Sequence, residues 1–140
     1  MNEIELTRIV CETILVALIW IIQLVIYPRF STTEKSEQAH WHLHYTLLIT
    51  AIISPLILLQ FGILTYEWLE ANTLLTSARL SLSCIVIFST IFLLAPQHLK
   101  VICFGPDDVT FRKITKRNWI RTITWTGSLT ISLVGFLLAT

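Results

Sequence analysis

Residues 43–66 read LHYTLLITAIISPLILLQFGILTY, a run from Leu43 to Tyr66 without a single Asp, Glu, Lys or Arg. The hydrocarbon core of a bilayer is about 30 Å thick, and at 1.5 Å per residue a helix needs roughly 20 apolar residues to cross it. This run is long enough. Three more stretches of the same kind surround it, from about Ile9 to Tyr27, Leu74 to Ala95 and Trp119 to Ala139. Lipid offers no hydrogen-bond partner to a free backbone group, so each stretch must be helical. The strands of a membrane β-barrel would alternate in character and be about half as long. The sequence therefore predicts an all-α integral membrane four-helix bundle. Residues 1–140 form one transmembrane domain, with spans at about 9–27, 43–66, 74–95 and 119–139.

Composition agrees. Hydrophobic residues make up 54% of the 140 and charged residues only 14%, against about a quarter charged in a soluble domain. Mean hydropathy is +0.72. A water-soluble fold this small leaves too much surface exposed to hide that much apolar area. Cys11, Cys84 and Cys103 are odd in number and far apart, with no C-x-x-C pair. They suggest neither a disulfide framework nor a thiolate metal site. The first span is expected to stay in the mature protein, because the preceding MNEIELTR is more acidic than basic and no small-residue cleavage site follows.

The connections are unequal. Glu67–Thr73 is a tight acidic hairpin that makes the second and third helices antiparallel neighbours. Arg29–Ala39 is polar and of middling length. Pro96–Arg117 is the longest, with the turn Gly105-Pro106-Asp107-Asp108 and Asp108 as N-cap of a short helix leading into the fourth span. The first and third connections, with Arg121 just beyond, carry Arg29, Lys35, Lys100, Arg112, Lys113, Lys116, Arg117 and Arg121, against Arg8 and Arg79 on the other side. The positive-inside rule then places both termini on the non-cytoplasmic side of the cell membrane.

That topology gathers the polar chemistry at one end. His40, His42 and His44 open the second helix, His98 follows the third, and Arg29 ends the first. Asn118, Arg121, Thr122 and Trp125 are spaced i, i+3, i+4, i+7 and so share one face of the fourth. An inward-facing Arg121 needs a carboxylate, a carbonyl or an anionic ligand. His42, Tyr45 and His98 are the candidate acid–base groups, a histidine near its ordinary pKa being able to move a proton at neutral pH. Asn118, Arg121, Trp125 and Arg29 are the candidate ligand-binding groups. Three other readings stand beside this one: a bare interfacial belt of aromatic and polar residues, a metal held by His40, His44 and His98, and a haem clamped by His44 and His98. Neither haem nor a histidine-bound metal is favoured, since HWHLHY completes no metal signature and the histidines lie near helix ends. Of the remaining polar groups, Glu12 reads as a solvated acid near the start of the first span. Gln23 and Gln60 read as interhelical hydrogen-bonding groups, and Ser128, Ser132 and Gly135 as a small-residue packing seam. Pro55 should kink the second helix.

These motifs resemble a group of uncharacterised bacterial four-helix membrane proteins. The matching residues are Tyr27-Pro28-Arg29-Phe30, His42 with Tyr45, Pro55, Pro96-Gln97-His98 and the run Asn118-Trp119-Ile120-Arg121-Thr122-Ile123-Thr124-Trp125. The chain is also distantly similar to the domain-of-unknown-function family that contains the fungal anthrone oxygenases, through Asn118 and Arg121 early in the last helix. That resemblance implies oxidation of a polycyclic phenol. A weaker likeness, from Trp20 to Arg29, is to bacterial four-helix protoporphyrinogen oxidases. They bind haem, but this chain lacks the histidine expected in the first helix.

The reading is of a multi-pass membrane protein with a small-molecule pocket at the cytoplasmic end, whose ligand is hydrophobic or anionic. If the pocket is catalytic, an oxidoreductase is the expected class. The alternative is a non-catalytic accessory subunit of a larger membrane complex. The expected partners are the lipid bilayer, the small molecule, and a homo-oligomer or larger complex; nothing points to nucleic acid.

Overall fold

The computed structural model describes residues 3–30 and 32–139, with side chains through residue 137. The chain forms four long helices, α1 (Glu3–Phe30), α2 (Lys35–Glu70), α3 (Leu74–Phe104) and α4 (Asp108–Ala139), and no strand among the described residues. Each helix packs along its two cyclic neighbours, α1 on α2 and α4, and α3 on α2 and α4. The result is an up-down-up-down bundle. Helices α1, α2 and α3 are each long and apolar enough to cross a membrane. Helix α4 is as long, but its basic residues Arg112, Lys113, Lys116, Arg117 and Arg121, with hydroxyls from Thr122 to Ser132, make it the most polar of the four.

The distribution of side chains is that of a protein solvated by lipid. Leu47, Leu58, Phe92 and Ile123 are at least 60% exposed, whereas Arg8, Glu12, Gln23, Gln60, Arg79, Asn118 and Arg121 are buried. In water that arrangement would cost free energy twice, by wetting large apolar side chains and by drying charged ones. In a bilayer the outer surface costs nothing, and the inward polar groups need only find one another.

Arg8, Glu12, Gln60 and Arg79 do so at the end that carries both termini. Arg8 Nε donates to Glu67 Oε1 at 2.8 Å, Arg8 also donates to Ser132 Oγ, and its Nη1 lies 3.8 Å from Glu12 Oε2. Arg79 Nη1 lies 3.4 Å from Glu67 Oε2. Glu12, which the sequence suggested as a solvated acid, is wholly buried. Its Oε1 accepts from Ser128 Oγ at 2.8 Å and from Gln60 Nε2 at 3.4 Å. Gln60 Oε1 in turn accepts from Trp125 Nε1 at 3.0 Å, across the bundle's diagonal. All four helices are tied through this set.

The helices run well past the apolar stretches, so the connections are short. The expected long loop 96–117 is instead the end of α3, a turn at residues 105–107 and the start of α4. Gly105, at φ 88°, supplies the left-handed turn that ends α3. Asp107, one residue earlier than expected, caps α4: Thr110 N donates to its Oδ1 at 2.8 Å. There is no separate short helix, since α4 is continuous from Asp108. At the other end, Thr73 and Thr76 form a reciprocal capping box that starts α3.

Two π-helical segments interrupt this regularity, Ile22–Ile26 in α1 and Ser89–Leu94 in α3. Each ends two residues before a proline, Pro28 and Pro96. A proline inside a helix lacks its N–H and clashes with the carbonyl four residues back, here Leu24 and Phe92, both within the π segments. The backbone widens instead of breaking: Tyr27 N–H bonds Ile22 O and Ala95 N–H bonds Thr90 O, five residues back. Arg117 Nη1 donates to the Leu93 carbonyl at 3.2 Å. Both widened turns border the same cavity.

Candidate functional site

Phe30, at the end of α1, is buried at the centre of an aromatic cluster. It stacks on Phe111 at 4.6 Å between ring centroids and meets Trp41 edge-on at 5.0 Å. Gln38 fixes the turn above it by donating to the carbonyls of Phe30 and Thr33, both at 2.8 Å. The cluster forms one wall for His42, which is wholly buried and lies 5.4 Å from the Phe30 ring.

His42 faces His98. Nε2 of His42 and Nδ1 of His98 are 2.9 Å apart, sharing one hydrogen, and the rings are nearly parallel. The two neutral tautomers of this pair are alternatives: if His42 donates, His98 carries its proton on Nε2, and if His98 donates, its Nε2 is a free acceptor. His40 and His44 are exposed. The set His40, His44 and His98 is therefore not assembled, nor is a clamp of His44 and His98. Among the described residues no group of three His, Cys, Asp or Glu side chains could hold a metal ion.

Beside His98 a cavity of about 310 Å³ opens between α2 and α3, at the small end of the range for ligand pockets, roughly 300–1,000 Å³. Its walls are mainly apolar, from Ile49, Ile53, Ile57 and Leu94 among others, and its polar groups include Tyr27, Tyr45, Thr46, Thr90, His98 and Arg121. Thr50, Ser54 and Leu99 on its rim are exposed, so the cavity opens sideways onto the surface the bundle presents to lipid.

Arg121 is what distinguishes this cavity. The face of α4 that the spacing groups together is turned inward, with Asn118, Arg121, Thr122 and Trp125 all buried. The guanidinium carbon lies 5.1 Å from the centre of the Trp125 ring, a cation–π distance. Every ion pair among the described residues involves other cations, and Arg121 Nε is buried without a hydrogen-bond partner. Thr46 Oγ1, also on the cavity wall, is buried and unpartnered as well.

The remaining expected site residues divide. Asn118 does not line the cavity; its Nδ2 donates to Gln23 Oε1 at 2.8 Å, and Gln23 Nε2 reaches Thr115 O at 3.3 Å. Trp125 lies behind Arg121, held by Gln60. Arg29 is exposed and outside the cavity. Tyr27 and Thr46 are additions to the site. Tyr27 could have been found from its place immediately before Pro28, where the widened turn carries it inward; Thr46 gives no such signal.

No family model matches the chain, and neither curated proteins nor solved structures give a significant match.

Proposed function

We propose that this protein binds, within the membrane, a small molecule with an apolar body and an acceptor head group, with Arg121 as the anchor. One observation carries the reading: a buried guanidinium with an unpartnered Nε on a mainly apolar cavity that no carboxylate lines. Arg has only donors and stays charged, so its counterpart must be a carboxylate, a phenolate or a polarised carbonyl. The lateral opening suits entry from the bilayer. Eight basic residues around the histidine end against two at the other favour that end in the cytoplasm, with the protein in the cell membrane.

The His42–His98 pair favours a second step beyond binding. His98 lines the cavity beside Tyr45, and a tautomer switch of the pair exchanges its Nε2 between donor and acceptor. A phenolic ligand held by Arg121 would pass its proton to His98 there, and oxidation of the resulting phenolate, the step the resemblance to anthrone oxygenases implies, requires dioxygen as the electron acceptor.

The test is organic extraction of the protein purified in mild detergent, with mass spectrometry of what comes out. Wild type should carry an acidic or phenolic apolar compound in near-stoichiometric amount. Arg121→Gln should bind it about 10- to 100-fold more weakly, the worth of one charge-assisted hydrogen bond, while remaining folded. Equal retention by both proteins rules out Arg121 as the anchor, and a stoichiometric protein partner instead of a ligand returns the accessory-subunit alternative.

A further inference from the structure

A second concave surface lies on the opposite flank of the histidine end, between α1 and α4. It is a groove of about 600 Å³ floored by Phe30 and Phe111 and edged by Arg112, Lys116 and Trp119. We propose that this groove binds the head group of an anionic phospholipid, with Arg112 and Lys116 on the phosphate and the acyl chains running along α1 and α4.

Four observations support this occupant. First, Arg112 and Lys116 are one helical turn apart and so project from the same side of α4. Both are exposed, and neither takes part in any ion pair among the described residues. Asp108 is the one carboxylate that lines the groove, so the lining carries a net positive charge. Second, these cations do nothing for the helix that bears them. They sit beyond the first turn of α4, to which the helix dipole is confined, and the helix start is already capped by Asp107. An external anion is left to satisfy the cations themselves.

Third, their depth is right. Trp119, 38% exposed, meets Trp20 edge-on at 5.7 Å, and this indole pair marks the boundary of the hydrocarbon. At 1.5 Å per residue, Lys116 stands about 4.5 Å and Arg112 about 10 Å beyond Trp119. The head-group layer on each side of a bilayer is about 5–8 Å thick. Lys116 therefore stands inside that layer and Arg112 just past its outer edge. Fourth, the floor of the groove is rigid and apolar: the Phe30 and Phe111 rings are parallel to within 12°. The surface on the hydrocarbon side continues with exposed Leu24 and Ile123. A head group needs the cations and its chains need the apolar track, whereas a free phosphate uses only the first.

The groove shares Tyr27 with the cavity wall but not Arg121, so the inference stands whether or not the cavity binds a ligand. The test is native mass spectrometry of the detergent-purified full chain, titrated with phosphatidylglycerol, with phosphatidylcholine of the same acyl chains, or with glycerol 3-phosphate. Wild type should prefer phosphatidylglycerol over phosphatidylcholine. Arg112→Gln with Lys116→Gln should weaken phosphatidylglycerol binding about 25-fold, at about 5-fold for each basic residue removed. It should leave phosphatidylcholine binding unchanged. The control Lys35→Gln with Lys113→Gln removes the same charge from exposed positions outside the groove and should have little effect. Three results would each overturn the proposal: an equal loss in the control, which means diffuse surface charge; competition by glycerol 3-phosphate at the lipid's own concentration, which means a free-phosphate site; or no preference between the two lipids.

Discussion

Replacing Arg8 by methionine removes a cation that three carboxylates approach while keeping most of its packing volume. The largest loss falls on Glu12. Arg8 Nη1 and Glu12 Oε2 are 3.8 Å apart, with side chains 3% and 0% exposed. With an effective dielectric of about 20, that separation corresponds to about 4 kcal/mol. Glu12 would keep only neutral donors, Ser128 and Gln60, and Oε2 has no hydrogen bond even in wild type. Glu67 suffers less, because Arg79 remains at 3.4 Å and the Glu67 side chain is 17% exposed. The expected cost of Arg8→Met is therefore about 3–5 kcal/mol, the range for breaking one side of a buried pair. Adding Glu12→Gln removes the stranded charge and should recover about 2 kcal/mol or more. Reversible unfolding in mixed detergent micelles, followed by circular dichroism, measures both variants. A cost below about 1 kcal/mol for Arg8→Met, or a double variant additive within about 0.5 kcal/mol, would refute the reasoning.

Phe30→Ala should destabilise by about 3–5 kcal/mol in the same assay, since the ring is buried against Phe111, Trp41 and Tyr45. His98→Ala strands the wholly buried His42 and should cost about 1–3 kcal/mol. His42→Phe with His98→Phe should stay within about 1 kcal/mol of wild type, because both partners are then apolar. Hydrogen bonds from the Thr110 side chain and backbone, helped by Lys100, hold the Asp107 carboxyl down to about 2. Its folded pKa lies below its unfolded value of about 3.9, so its cap stabilises α4 above that value and is lost as pH falls through about 2. Exchange of the first-turn amides of α4 should accelerate, relative to the middle of the helix, only in that window, and Asp107→Asn should abolish the change.

The four helices were legible because apolarity over roughly 20 residues has one physical solution in lipid. Their ends were not, because hydropathy marks where the hydrocarbon stops rather than where the helix does. Lys35–His42, Ala95–Phe104 and Asp108–Asn118 are helical beyond the apolar stretches. That Asn118, Arg121, Thr122 and Trp125 share one face of α4 followed from their spacing, a local property; that the face turns inward did not. Gln23 and Gln60 do bridge helices. Glu12 was misread because, apart from Arg8 one turn away, the groups that hold it come from elsewhere: Ser128 is 116 residues away and Gln60 is 48. Nothing local distinguishes a carboxylate with such partners from one without. His42 against His40 and His44 was the same problem, settled only by His98 on another helix. The two π segments were not legible from proline alone, since Pro55 also lacks an N–H and α2 runs through it as an α-helix.

The claim that matters most is that Arg121 meets a ligand's oxygen inside the cavity. An experimental structure of the protein extracted from its native membrane in mild detergent tests it directly. The account predicts density for an apolar molecule between α2 and α3, with an acceptor atom within hydrogen-bond distance of the Arg121 guanidinium and the molecule against His98. A guanidinium turned out to the membrane interface, or satisfied there by a protein carboxylate or carbonyl, would contradict it.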